Sequence, residues 1–193
     1  SYKGIQDSLF SRKNEFHIGS IQAGEQFRML SSGFLHADFQ HLFFNMFTLY
    51  LFAPYVVFHF SNFYFFVLYF GSLIAGSLLT LYFHKNEHQY RAVGASGAVT
   101  GIIYSAILIE PNIYMYGFMP GYVFGFLYLI LSIYGMKTKR DNIGHVAHFG
   151  GAIGGFVFTL IKEPQLLSLQ PLTVAALLIP IVVLFFLEKT NKL

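Results

Sequence analysis

A serine, several histidines and an asparagine, all within apolar stretches, are the residues of this chain with the most obvious chemical potential. Ser96 lies in a Gly-Ala-Ser-Gly segment, His148 in an Ala-His-Phe-Gly-Gly segment, and His41 and Asn45 are four residues apart. A serine hydroxyl becomes a nucleophile when a base takes its proton, and histidine is the usual base near neutral pH. Backbone N–H groups at a helix start, together with side-chain donors, favour an oxyanion. These residue types therefore favour acyl transfer.

The composition indicates that membrane-spanning helices must position these residues. Of the 193 residues, 55% are hydrophobic and 11% are charged, whereas soluble domains carry about 25% charged residues. A helix needs about 20 apolar residues to cross the bilayer core. Six runs approach this length: span A (Phe34–Phe58), span B (Phe63–Phe83), span C (Ala92–Ile109), span D (Ile113–Gly135), span E (Ile143–Ile161) and span F (Leu166–Leu187).

Short polar connections between the spans favour antiparallel neighbours, so the sequence predicts an all-α, polytopic transmembrane helix bundle. Residues 1–33 contain charges and glycines and are not expected to span. The net charge is only +3 and the basic residues are dispersed, which argues against a nucleic-acid partner. The absence of cysteine excludes disulfides, thiol catalysis and cysteine-ligated zinc.

Alternation of the spans places the chemically active residues at one side of the membrane. Spans A, C and E run in the same direction, and His41, Ser96 and His148 are the eighth, fifth and sixth residues of these spans. At a rise of about 1.5 Å per residue, all three would lie roughly 7 to 12 Å below one face. Polar groups at membrane depth are costly and tend to be functional.

Other protease chemistries fit the sequence less well. A zinc protease would need a His-Glu-x-x-His motif, which the sequence lacks, and an aspartyl protease would need two carboxylates within spans, where Asp38 is the only one. Asp141 lies in the loop before span E, so a serine–histidine dyad is expected rather than a triad. His145 and His148, three residues apart, leave a metal site as an alternative, but no metal or cofactor is expected.

Glycines at four-residue spacing predict close packing of spans C and E. Gly97 and Gly101 in span C, and Gly151 and Gly155 in span E, fit the small-xxx-small pattern that lets helix backbones approach each other. Packing alone would also explain these glycines, and interhelical hydrogen bonding alone would explain His41 and Asn45.

Three segments in order on alternating spans resemble the signature segments of the rhomboid family of intramembrane serine proteases. The segments are His41-Leu-Phe-Phe-Asn45, Gly94-Ala-Ser96-Gly97 and Ala147-His148-Phe-Gly-Gly151, and the resemblance covers roughly residues 27 to 161. It implies that Ser96 is the nucleophile and His148 the general base. The residues that it implies in support are the oxyanion donors His41 and Asn45, together with His36, Gly94 and Gly97.

The resemblance also implies a division of residues 1–193, a single rhomboid-type membrane domain. Residues 1–33 would be the large extramembrane first loop, in which Phe27-Arg28 resembles a Trp-Arg pair of the family. Residues 34–161 would be the catalytic helix core, and residues 162–193 an additional C-terminal helix. The family's core has six helices, so its first helix is expected before residue 1 and spans A to E match helices two to six.

Two features of the sequence depart from the family. The family often has a tyrosine four residues after the nucleophile, stacked on the base histidine, whereas Thr100 occupies that position here. The side of the active site also carries most of the basic residues, while the opposite side carries Lys162 alone. The positive-inside rule therefore favours an active site facing the cytoplasm, and the family resemblance favours the outward direction.

The function that the resemblance implies is an intramembrane serine endopeptidase that cleaves transmembrane segments of other membrane proteins. Its partners would be those substrates and the lipid bilayer, in a multi-pass protein of a bacterial plasma (inner) membrane. An alternative is a catalytically inactive relative that binds or escorts membrane clients, although such relatives typically lose the serine or the histidine. A transporter is a third reading, which would require polar groups spread through the membrane midplane. The sequence does not specify the physiological substrate or the oligomeric state.

Overall fold

A computed structural model describes residues 1–115, 117–138, 144–190 and 192 of the chain. The helices are α1 (Tyr2–Gln6), α2 (Ser8–Asn14), α3 (Ile18–Gln22), α4 (Arg28–Ser31), a 3-10 turn (Ser32–Phe34), α5 (Phe39–His59), α6 (Asn62–Phe83), α7 (Ser96–Ile109), α8 (Gly121–Thr138), α9 (His145–Lys162), α10 (Leu166–Leu169) and α11 (Pro171–Lys189). The predicted all-α class is confirmed, and spans A to F correspond to α5, α6, α7, α8, α9 and α11.

Two short antiparallel strand pairs connect the helices. Strand β1 (Phe16–His17) pairs with β2 (Arg91–Ala92), which ties the N-terminal region to the segment just before α7. Strand β3 (Tyr114–Met115) pairs with β4 (Met119–Pro120) in the connection between α7 and α8. The first pair holds the segment that leads to Ser96, because β2 ends four residues before that serine.

The helices that carry the site residues begin later than the apolar runs predicted. α5 begins at Phe39 rather than Phe34, and α7 begins at Ser96 rather than Ala92. Each of His41, Ser96 and His148 therefore lies within the first four residues of its helix, rather than at the eighth, fifth and sixth positions. Their depth below the membrane face stays a prediction. Apolar side chains extend into the strand and loop before each helix, so hydropathy alone does not mark the helix start.

Asp38 was expected within span A, and the structure corrects this prediction. Asp38 is the N-cap of α5, and its carboxylate accepts a hydrogen bond of 2.7 Å from the backbone N–H of His41. A carboxylate at this position satisfies an N–H group that has no partner within the helix and interacts favourably with the positive end of the helix dipole.

Among the described residues, four helices are long and apolar enough to cross a membrane: α5, α6, α8 and α11. Large apolar side chains on their outer faces are exposed, including Tyr50, Phe58 and Phe63, as expected where lipid replaces water. The six predicted spans therefore include two helices that fall short. α7 has 14 residues, or about 21 Å, and α9 contains histidines and glycines that lower its hydropathy.

α7 lies at the centre of the bundle, where every residue from Gly97 to Leu108 is buried. Glycines let α9 approach it closely, since a Cβ atom on Gly151 would overlap the carbonyl of Gly97. One helical turn further on, a Cβ on Gly155 would overlap the carbonyl of Gly101. The packing predicted from the small-xxx-small pattern is confirmed, and it fixes the separation of the two helices that begin at the site.

Residues 1–33 fold into short helices that pack on α6 rather than into an irregular loop. Met29 is buried, and its carbonyl accepts a hydrogen bond of 2.8 Å from Ser77 Oγ of α6. The Arg28 guanidinium is also buried and ties α4 to the preceding segment. It donates to the Glu25 carboxylate at 2.6 Å and to the backbone carbonyls of Arg12 at 2.8 Å and Glu15 at 3.1 Å. The division of the domain at residues 34 and 162 stays a prediction.

Candidate active site

Ser96 and His148 form the centre of the candidate site. Ser96 Oγ lies 2.7 Å from His148 Nε2, although the two residues are 52 positions apart in the chain. Ser96 is the first residue of α7 and His148 the fourth residue of α9. The glycine contacts between these helices hold their N-terminal ends together, so the bond joins two rigid elements. A hydroxyl at this distance from an imidazole nitrogen has the geometry that proton transfer requires.

The backbone before Ser96 leaves space for a neighbouring side chain. Gly94 has φ +136°, a conformation that residues with a Cβ rarely adopt. A Cβ on Gly94 would lie 2.7 Å from His41 Cε1 and 3.6 Å from Ser96 Oγ. Gly94 thus leaves the space in which the His41 ring lies beside the Ser96 hydroxyl.

The first turn of α7 supplies backbone donors near Ser96 Oγ. The first intrahelical bond runs from the N–H of Val99 to the carbonyl of Ala95, at 3.0 Å. The N–H groups of Ser96, Gly97 and Ala98 precede that bond and belong to the positive end of the helix dipole. Ala95, the N-cap, makes no side-chain capping bond. This helix end can therefore stabilise a developing oxyanion.

His41 and Asn45 lie on one face of α5, as the sequence predicted. The side-chain amide of Asn45 donates to the carbonyl of His41 at 2.9 Å, and the Asn45 side chain is buried. That bond uses one of the two amide hydrogens of Asn45. Both residues line the same cavity as Ser96 and His148, so α5 contributes polar side chains to the site.

His36 lies behind His41 and outside the cavity lining. Its ring packs edge-on against that of His41, with centroids 4.9 Å apart, and its Nδ1 lies 2.7 Å from Ser1 Oγ. Burial, and secondarily the neighbouring His41, lowers the pKa of His36 from 6.5 to about 4. His36 is therefore neutral at neutral pH and supports the His41 ring as a neutral neighbour.

Tyr128 of α8 is a site residue that was not singled out from the sequence. Its ring is stacked on His148, with centroids 5.9 Å apart and planes 26° from parallel, and its Oη lies 2.9 Å from His148 Nδ1. The ring also stacks on Phe124 of the same helix. The sequence held no signal that singles it out, because span D carries five tyrosines and the one that faces span E depends on the rotation of the helix.

A cavity of about 1230 Å³ surrounds the pair, which is large enough for a segment of peptide chain. The polar side chains that line it include Asp38, His41, Asn45, Ser96 and His148. Phe44, Thr48 and Tyr55 of α5 and Phe124 and Tyr128 of α8 also line it, together with residues of α6 and α7. The site thus shares a mostly apolar cavity with side chains of α5 and α8, two helices that can face lipid.

A family model described as the Rhomboid domain matches residues 23–165, which is more than half of the chain. The chain belongs to the rhomboid family. No curated protein and no solved structure shows a significant match. Together with the four apolar helices, membership of the family makes this rhomboid an integral membrane protein.

Thr100, where many rhomboids have tyrosine, is buried in this rhomboid and does not cover the histidine ring. Its hydroxyl donates to the carbonyl of Ser96 at 2.8 Å and lies 3.4 Å from Tyr128 Oη. An aromatic ring does stack on His148, but it comes from α8 rather than from α7. The ring missing from one helix is thus supplied by another.

In the described part of the chain, no three metal-binding side chains come together, so the structure offers no cluster for the metal site that the sequence left as an alternative. The rings of His145 and His148 are edge-on to each other with centroids 6.3 Å apart, and His145 packs against Gly135 of α8. Asp141 lies outside the described residues.

Proposed function

We propose that this rhomboid is an intramembrane serine endopeptidase, with Ser96 as the nucleophile and His148 as the general base. The observation that carries the proposal is the 2.7 Å contact between Ser96 Oγ and His148 Nε2, two residues that line the cavity. Membership of the family supports it, since rhomboids are generally intramembrane serine proteases. The sequence retains both the serine and the histidine that inactive relatives typically lose.

In the first step Ser96 Oγ attacks the carbonyl carbon of the substrate peptide bond, and its proton passes to His148 Nε2. A carbon–oxygen bond forms, and the π electron pair of the carbonyl moves onto its oxygen. The N–H groups at the start of α7, with the side chains of His41 and Asn45, are the donors placed to stabilise that oxyanion.

In the second step the tetrahedral intermediate collapses and the carbon–nitrogen bond breaks. His148 gives its proton to the departing amine, which leaves an ester on Ser96. A water molecule then attacks the ester while His148 accepts its proton, and collapse releases the acid product and restores the Ser96 hydroxyl. The cycle needs no cofactor, because His148 alone takes up and returns each proton.

The lining of the cavity supports transmembrane segments as the class of substrate. It is mostly apolar and includes side chains of α5 and α8, so a segment that enters from lipid would meet apolar side chains beside Ser96. A helix has its carbonyls bonded internally, so the segment must unwind before the attack. We propose a bacterial plasma membrane as the location of the protein.

The test is labelling by a fluorophosphonate probe, together with cleavage of a transmembrane substrate, in purified protein. Ser96→Ala and His148→Ala should each abolish both readouts, and the double variant should be no worse than either single one, because the residues act as a unit. Ser105→Ala is the matched control, since Ser105 is a buried serine on the same helix, bonded to Thr159.

Activity within tenfold of wild type in Ser96→Ala or His148→Ala would remove that residue from the mechanism. A folded wild-type protein that is neither labelled nor active would contradict the proposal and favour a client-binding relative.

A further inference from the structure

Tyr128 links His148 to the backbone of Ser96, the residue that His148 activates. Its Oη lies 2.9 Å from His148 Nδ1 and 3.4 Å from Thr100 Oγ1, and Thr100 Oγ1 lies 2.8 Å from the carbonyl oxygen of Ser96. The three contacts form a chain of groups from the outer nitrogen of the imidazole back to Ser96. α7, α8 and α9 each contribute one side chain to it.

The direction of each hydrogen bond follows from the number of hydrogens available. The Ser96 carbonyl can only accept, so the single hydroxyl hydrogen of Thr100 is directed to it. All three contacts can be hydrogen bonds only if Thr100 accepts from Tyr128, at 3.4 Å, and in that arrangement the Tyr128 hydrogen is directed away from His148. The Tyr128 oxygen is left as an acceptor, and the hydrogen between it and the imidazole must belong to Nδ1.

This assignment is the one that the mechanism needs. A neutral imidazole carries one hydrogen, and a base that accepts from Ser96 through Nε2 must carry that hydrogen on Nδ1. If the Tyr128 hydroxyl were turned towards His148, it would favour the opposite tautomer, in which Nε2 is protonated and cannot accept. The hydroxyl of Thr100 therefore determines which way Tyr128 is oriented.

We propose that Tyr128 is a positioning residue of the active site, which holds His148 in the tautomer with the hydrogen on Nδ1, and that Thr100 orients it. The inference rests on the proposed function of Ser96 and His148. The Tyr128 ring fixes the plane of the imidazole by stacking, and its oxygen accepts from Nδ1 before and after His148 takes the serine proton.

The main variant is Tyr128→Phe, which keeps the stacked ring and removes the oxygen. We expect kcat for a transmembrane substrate, and the rate of fluorophosphonate labelling, to fall by about tenfold, the rate equivalent of one hydrogen bond. KM should be unchanged, because the oxygen faces His148 rather than the substrate. Tyr128→Leu, which also removes the ring, should lower kcat and the labelling rate further.

Tyr104→Phe is the matched control. Tyr104 is a buried tyrosine of α7 whose hydroxyl donates to the carbonyl of Gly125 in α8, at 2.6 Å. Its loss removes a hydrogen bond between α7 and α8 without touching His148. It should lower the thermal unfolding midpoint and leave kcat near that of the wild type.

The second test uses Thr100, which a purely structural role for Tyr128 would not connect to the base. Thr100→Val should lower the labelling rate, because the loss of the hydroxyl frees Tyr128 to donate to Nδ1. Thr100→Ser, which keeps a hydroxyl, should be labelled at the wild-type rate. In the Tyr128→Phe background, Thr100→Val should have no further effect on the rate.

Nitrogen-15 spectra of labelled histidine, with the His148 signal identified in the His148→Gln variant, give a readout independent of proteolysis. We expect His148 to be protonated on Nδ1 in the wild type and to shift towards the other tautomer in Thr100→Val.

Wild-type kcat in Tyr128→Phe, a loss of rate no larger than that of Tyr104→Phe, or a wild-type His148 protonated on Nε2 would each overturn the inference. These results would leave the proposed function standing as long as Ser96→Ala remains inactive. If the wild type itself is inactive, the proposed function fails. The nitrogen-15 spectra would then still show whether His148 Nδ1 donates to Tyr128 or accepts from it.

Discussion

At the scale of single residues, the site depends on groups that create space or set hydrogen-bond direction as much as on the reactive pair. Gly94 makes room for the His41 ring, and His36 packs behind that ring without carrying a charge at neutral pH. Such residues have no chemistry of their own. Their effect is to restrict where His41 and the reactive groups can be.

The proposed oxyanion donors can be tested one at a time. His41→Ala and Asn45→Ala should each lower kcat/KM, and the loss of one such donor in a hydrolase is about 100- to 1,000-fold. Gln40→Ala is the control, since Gln40 is an exposed neighbour on α5 that does not line the cavity. Unchanged rates in both variants would leave the backbone of α7 as the oxyanion donor.

His36 should make the fold sensitive to acid. Its pKa is about 4 in the folded protein and near 6.5 when unfolded, so the unfolded chain binds more protons between these values and stability falls as the pH is lowered through that window. The contribution of His36 between pH 7 and pH 5 is about 2 kcal/mol.

The measurement is the unfolding free energy at the two pH values in wild type and in His36→Gln, which should lose less stability on acidification. His88→Gln replaces an exposed histidine and should behave like the wild type. Equal acid sensitivity in His36→Gln and the wild type would show that His36 is not the group responsible.

At the scale of elements, α7 can be short because other helices, rather than lipid, surround it. Its 14 residues are almost all buried, so its N-terminal end lies inside the bundle and can present backbone donors to a substrate. The glycines of α7 and α9 bring Ser96 within reach of His148 by letting the two backbones approach. Helix packing and catalytic geometry are thus set by the same contacts.

Gly151→Ala should separate the two helices. The added methyl group would overlap the Gly97 carbonyl, and such overpacking costs about 1–3 kcal/mol. We expect a lower unfolding free energy in mixed detergent micelles and a lower kcat, since Ser96 and His148 move apart. Gly144→Ala is the control for stability, because its methyl group would meet only Ala147 Cβ, at 3.8 Å. Equal stability of the two variants would contradict this role for the Gly97–Gly151 contact.

At the scale of the whole molecule, the polar site residues share a mostly apolar cavity with side chains of α5 and α8. The outer faces of these helices are apolar, so the approach from lipid requires less desolvation of the protein than an approach through polar loops. A transmembrane substrate would arrive as a helix, and its unwinding would come before the chemistry.

Helix-weakening residues near the cleavage site of the substrate should therefore speed cleavage. Gly and Pro destabilise a helix interior by about 1 and 3 kcal/mol relative to Ala. Replacing them by Leu in a transmembrane substrate, with the cleaved pair untouched, should slow cleavage measured in proteoliposomes. The same exchange at the far end of the segment is the control. Equal rates for both substrates would show that unwinding does not limit the reaction.

The sequence by itself determined the membrane class, the six main helices of the bundle and the motifs that contain Ser96, His148 and His41. These follow from local properties, because hydropathy defines an apolar run and the alternation of spans decides which helix ends share a side. Hydropathy did not locate the helix starts, because apolar side chains continue into the segments before α5 and α7.

Only the tertiary structure decided what surrounds His148. The chain has 13 tyrosines, and nothing in the local sequence of α8 distinguishes Tyr128 from the others. Its contact with His148 depends on how far α8 is rotated about its axis and how closely it packs on α9, and both are set by side chains distant in sequence. For the same reason Thr100, read from the sequence as the absence of a stacking ring, is in the fold the hydroxyl that orients Tyr128.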